Sequence, residues 1–179
     1  MKAGKSKRYF FQSLLAICFM AIVLPVSLAS NDHIEPADFL AQVFSGELPD
    51  SATVWLSGEK KEIAANILGH KPDFLRARYW GNSERSAWIL DEIGKTEPIT
   101  IGVVVANQRI EDVQVLAFRE SRGWEIKHDF FTRQFKGASM VGEQQLSSNI
   151  DGISGATLSV RAMTNVSRLV LFLSATLNS

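Results

Sequence analysis

The stretch ITIGVVVANQRIEDVQVLAFR, Ile99 to Arg119, decides the fold. Two runs rich in β-branched residues, Ile99–Ala106 and Ile110–Arg119, flank the short polar connection Asn107-Gln108-Arg109, which reads as a hairpin. In the second run Val113, Val115 and Ala117 point one way, and Asp112, Gln114 and Leu116 the other. Successive side chains of a strand alternate between faces, so this pattern suits a sheet with one buried face.

Working outward toward the N-terminus, Leu75–Trp80 and Ala87–Leu90 read as strands around the turn formers Gly81-Asn82-Ser83, and Thr53–Leu56 as a shorter one. A helix is expected from Pro36, with Phe39, Leu40, Val43 and Phe44 on one side and Gly46 as its stop. A second spans Ser57–Leu68, with Ile63, Ile67 and Leu68 inward and Gly69 after it. Val160–Leu177 closes the chain as a helix. Ala162, Met163, Val166, Leu169, Val170 and Leu173 share its apolar side, with Arg161, Asn165 and Arg168 largely on another. The fold class is α+β, an antiparallel sheet packed with helices.

The first residues follow a different logic. Lys2, Lys5, Lys7 and Arg8 precede an apolar run from Phe10 to Leu24, and small residues stand at Ser27 and Ala29. That order is the pattern of a secretory signal cleaved after Ala29. The alternative is an uncleaved anchor, for which the apolar run is short. Cleavage leaves fifteen basic against nineteen acidic residues, a formal charge of −4. Such a chain lacks the basic footprint of a nucleic-acid binder. The single cysteine, Cys18, lies within the signal, so the mature chain has no disulfide, thiolate nucleophile or cysteine-held cluster. The expected location is the periplasm or the extracytoplasmic face of a membrane.

Catalytic patterns are scarce. His33, His70 and His128 show no metal-ligand spacing and read as surface or core residues, so no metal site is expected. Trp55, Trp80, Trp88 and Trp124 could stack on a planar ligand, but burial is the simpler expectation for each. No nucleophile elbow or phosphate-loop lysine occurs, and no catalytic residue is assigned.

The remaining unusual segment is Asp151-Gly152-Ile153-Ser154-Gly155-Ala156-Thr157, just ahead of the last helix. A helix N-terminus carries unpaired N–H groups and partial positive charge, and so favours a phosphate. Gly155 and Ala156 leave room for a bulky group, Thr157 offers a hydroxyl, and Ser159 can cap the helix. The plainer reading of the same residues is a capped helix with a glycine turn and no ligand.

The segment resembles the flavinylation motif of the FMN-binding domain family, in which Asp, two variable residues, Ser or Thr, Gly, Ala and Thr follow in order. That family includes the extracytoplasmic flavin subunits of sodium-pumping quinone reductases and related electron-transport complexes. The resemblance implies that Thr157 is esterified to the phosphate of FMN by a dedicated FAD:protein FMN transferase. It implies that Asp151, Ser154, Gly155 and Ala156 belong to the recognised sequence and the phosphate bed. A family Glu-Thr-Pro-Gly loop is similar to Glu120-Ser121-Arg122-Gly123, which keeps the glutamate and glycine but changes the middle. Gln134-Phe135-Lys136-Gly137 is similar to a second family segment. Glu120, Gly123, Trp124 and Phe135 are then expected around the flavin ring.

The resemblance covers roughly Ile99 to Leu173. It divides the chain into a signal at 1–29, a helical and β extension at 30–95 and an FMN-binding domain at 96–179, the last two forming one unit. The function it implies is an electron carrier or subunit between a membrane reductase and an extracytoplasmic acceptor. The alternatives are a flavin-dependent reductase acting directly on a small substrate, and an unmodified periplasmic binding module.

Overall fold

Strand pairing in the computed structural model follows the chain order without a crossover. The structure describes residues 33–142 and 144–178; the signal expected at 1–29 lies outside them. Strands β1 (Ser51–Trp55), β2 (Arg76–Gly81), β3 (Arg85–Ile93), β4 (Pro98–Ala106) and β5 (Arg109–Ala117) form one five-stranded antiparallel sheet in the order β1-β2-β3-β4-β5. A two-stranded ribbon, β6 (Met140–Val141) with β7 (Gln145–Leu146), lies further along the chain. Helices α1 (Pro36–Val43), α2 (Glu59–Leu68), α3 (Asp129–Thr132) and α4 (Thr157–Ala175) complete the α+β fold.

The β4–β5 hairpin is where the sequence placed it. Asn107 and Gln108 both take positive φ, so the two-residue turn matches the twist of its strands. Val113 and Val115 face the main core together with Ile99, Ile101, Val103 and Val105 of β4. Helices α2 and α4 cover that face, with Ile67, Leu68, Met163, Val166 and Leu169 buried among the strand residues.

The expectation of a single buried face fails, and the reason is α1. Phe39 and Leu40 pack with Ala87, Val104 and Leu116 on the opposite side of the sheet. Gly102 makes this seat possible. A Cβ at Gly102 would stand 2.7 Å from the Phe39 ring, closer than packing allows. Burial on both faces also explains the unbroken apolar run Val103-Val104-Val105 where strict alternation would place a polar residue.

Other differences have local causes. β3 runs from Arg85 to Ile93, well beyond Ala87–Leu90, because it pairs with β4 along its whole length. β1 begins at Ser51, β2 ends at Gly81, α2 starts at Glu59 after Gly58, and β5 ends at Ala117, short of Arg119. Asn165 is buried, not on a solvent side; its amide nitrogen donates to the Leu68 carbonyl at 2.9 Å and ties α4 to the end of α2. Trp88 is buried and stacks on Tyr79, whereas Trp55 is 60% and Trp124 51% exposed, contrary to the burial expected of them.

Candidate functional site

α4 starts at Thr157, three residues before the expected Val160. Gly155 sets this boundary. Its φ of +83° lies in the left-handed region, and the chain turns there so that the Ala156 amide donates to the Ile153 carbonyl at 3.0 Å. Ala156 becomes the N-cap, with no side-chain cap hydrogen bond. Ser159 is therefore not the cap; it is a buried residue of the first turn, 4% exposed. The consequence is a 19-residue helix whose leading N–H groups receive no side-chain oxygen. Thr157 stands exposed at its first position.

The Glu120–Gly123 loop sits directly against this turn. Gly123 has φ +90°, and a Cβ there would meet Ser159 Oγ at 2.9 Å and Ala156 Cβ at 3.2 Å. Only glycine lets the loop approach so closely. The apposition leaves a cleft of about 500 Å³, within the range of ligand pockets. Gly155, Ala156, Thr157 and Ser159 line one side of it; Lys95, Glu120 and Arg122 line the other. Two cations thus face an uncapped helix start beside an exposed hydroxyl. That arrangement suits a phosphate.

Residues 94–171 match the family model of the FMN-binding domain. This segment is an FMN-binding domain. No curated protein and no solved structure matches the chain. Within the FMN-binding domain, the cleft residues fit the cofactor on structural grounds: small residues at 155 and 156, free N–H groups at the helix start, and two cations. Gly155, Ala156, Thr157, Ser159, Lys95 and Arg122 are the groups that would hold its phosphate end.

Glu120 acts differently from a ring contact. Its Oε1 accepts hydrogen bonds from three consecutive backbone N–H groups, those of Lys95, Thr96 (2.6 Å) and Glu97 (2.9 Å). The Thr96 hydroxyl donates to Oε2 at 3.2 Å. The carboxylate therefore fixes the β3–β4 turn, and with it Lys95 at the cleft edge. A Cβ at Gly94 would stand 2.9 Å from Glu120 Oε1, so a side chain there would push on the carboxylate that holds the turn. Backbone donors at Glu97 and Thr96 hold the Glu120 pKa at about 2, below the ordinary 4.5. A group with a depressed folded pKa stabilises the fold above its unfolded value and loses that contribution as pH falls through the folded one. Thermal melts should therefore show a destabilisation between pH 4.5 and about 2 that is shallower in Glu120→Gln. Equal slopes in the two proteins would show that the latch carries no pH-dependent stability.

The other expected site residues separate. Asp151 and Ser154 are exposed and do not line the cleft; the Asp151 amide donates to Gln134 Oε1 at 2.8 Å. Trp124 adjoins Gly123 and lies on the surface, edge-on to His128, which stacks on Phe130. Phe135 is fully buried and packs edge-to-face with Phe131, so the structure places it in the core and not on the cleft wall. Lys95 was missed because nothing local marks it; Glu120 brings it in from a distant turn. Arg122 had a visible signal, since it occupies one of the positions where the loop departs from the family's pattern.

Proposed function

We propose that the chain is an exported flavoprotein carrying FMN covalently on Thr157 and passing electrons between a membrane reductase and an extracytoplasmic acceptor. The observation that carries this reading is the exposed Thr157 hydroxyl at an uncapped helix start, facing Lys95 and Arg122 inside an FMN-binding domain. In maturation by an FAD:protein FMN transferase, the Thr157 oxygen bonds to the FMN phosphorus of FAD. The pyrophosphate bond breaks, AMP leaves, and the hydroxyl proton passes to a base on the transferase. The resulting diester keeps one negative charge, which the helix start and the two cations balance.

The flavin supplies one- or two-electron chemistry once attached, and the protein's part is placement and electrostatics. A covalent link suits a compartment where a dissociated cofactor is lost by diffusion. The test is fractionation of cells expressing both the chain and the transferase. The soluble extracytoplasmic fraction should contain a yellow protein beginning at Ser30, whose oxidised flavin is reduced by membranes supplied with an electron donor and reoxidised by an extracytoplasmic acceptor. Full-length chain confined to membranes would contradict cleaved export, and rapid turnover of a small substrate by the isolated protein would contradict the carrier role.

A further inference from the structure

The sheet is not evenly knit. β2 pairs with β1 from Arg76 to Trp80, and β3 pairs with β4 from Arg85 to Ile93. Between β2 and β3, however, pairing covers only Tyr79↔Trp88, Trp80↔Ala87 and Gly81↔Ser86. Beyond Tyr79 the register with β3 is lost, and Arg76–Arg78 have no partners on Ile89–Ile93. The loop from α2 enters this opening, where His70 Nε2 lies 2.8 Å from Glu92 Oε1. What remains is a cavity of about 490 Å³.

We propose that this opening binds a small molecule with one carboxylate on an apolar body, the carboxylate held by Arg78 and Arg76. The charges around the cavity support that choice. Glu92, 8% exposed, is engaged by His70, and Asp91 accepts from the Thr100 hydroxyl at 2.6 Å. Arg78 makes no ion pair or side-chain hydrogen bond among the described residues, and Arg76 only lies over the Trp55 ring, 5.9 Å from its centroid. Positions two apart on a strand share a face, so both guanidinium groups serve the same wall. A guanidinium fork matches a carboxylate in bidentate fashion.

Asp73 lines the same cavity and disfavours a second negative charge on the ligand. A phosphate monoester carries close to two charges at neutral pH and fits less well. Phe74, Ile89, Leu90 and Ile93 supply apolar wall for the rest of the molecule. Of the lining residues only Pro98 falls within 94–171, so the site belongs to the segment ahead of the FMN-binding domain. It stands independently of the flavin reading.

Benzoate is the probe, measured by calorimetry and tryptophan fluorescence on the mature chain. Saturable binding is expected, with a change in Trp55 emission as Arg76 is drawn from its ring. Arg78→Gln should weaken binding at least tenfold, and the neutral isostere benzamide should bind at least tenfold more weakly than benzoate. Both arginines are exposed, so their variants keep the fold. Thr157→Ala should bind benzoate as the parent does. Absence of saturable binding, equal affinity for benzamide, or undiminished affinity in Arg78→Gln and Arg76→Gln would overturn the proposal. Tighter binding of phenyl phosphate would overturn the choice of a carboxylate.

Discussion

Thr157→Ala, co-expressed with the transferase, should fold, export and emerge without covalent flavin. The change removes the exposed hydroxyl at the helix start. Of the other hydroxyls nearby, Ser159 is buried, Ser154 lies outside the cleft, and Ser121 lines it from the facing loop, outside the Asp151–Thr157 segment. It should leave stability within about 0.5 kcal/mol, the range of surface substitutions. The helix loses no cap, because Ala156 holds the N-cap position and Thr157 makes no cap hydrogen bond. Alanine at a helical position also has high intrinsic propensity. Thr157→Ser keeps an oxygen nucleophile and should retain part of the modification. Ser154→Ala should leave the yield close to that of the parent. Ser159→Ala should lower it modestly, since that side chain packs under Gly123 in the first turn. Absorption at flavin wavelengths after denaturing gel filtration separates these outcomes, and covalent flavin surviving in Thr157→Ala would refute the assignment.

Phe135→Ala should have the largest effect on stability, about 3–5 kcal/mol, as expected for truncating a fully buried aromatic residue. Its ring fills the main core beside Phe131, and removal leaves a cavity that the strands above cannot close. Trp124→Ala is the informative contrast. That residue is half exposed, so its loss should change stability by no more than about 0.5 kcal/mol. If the ring of the bound flavin lies against the Gly123 loop, the same substitution should alter flavin fluorescence, because an indole quenches a flavin it contacts. Urea melts and emission spectra on both variants test the division. A stable Phe135→Ala with altered flavin emission would return that residue to the ring pocket.

The hairpin from Ile99 to Ala117 was readable because alternation and turn chemistry are both local. The docking of α1 was not. Phe39 and Leu40 mark an apolar helix face, but nothing in them says which side of the sheet receives it. The only trace was Gly102, a glycine in the middle of a strand, whose missing Cβ makes room for the Phe39 ring. Asn165 misled for a similar reason: its polarity suggests solvent, while its partner is a carbonyl at the end of α2, remote in sequence.

The cleft was half legible. Thr157 and its flanking small residues stand in one contiguous motif, and Gly123 proves to need its glycine for contact with Ala156 and Ser159. The start of α4 was misplaced because Ser159 has the chemistry of a cap, whereas the left-handed turn at Gly155 begins the helix earlier. The aromatic residues after the loop resemble one another in sequence yet divide between surface and core. Phe130 lies outside and Phe131 inside, a distinction set by the short α3 helix and its packing on β5.

The most direct measurement is peptide mapping of the protein purified after co-expression with the transferase. Trypsin cuts after Lys136 and Arg161, so one peptide, 137–161, contains Ser154, Thr157 and Ser159 together. That peptide should carry the mass of one FMN less one water, and fragment ions should place the increment on Thr157. An unmodified peptide, from cells in which the transferase modifies a control substrate, would contradict the account, as would an increment on Ser154 or Ser159.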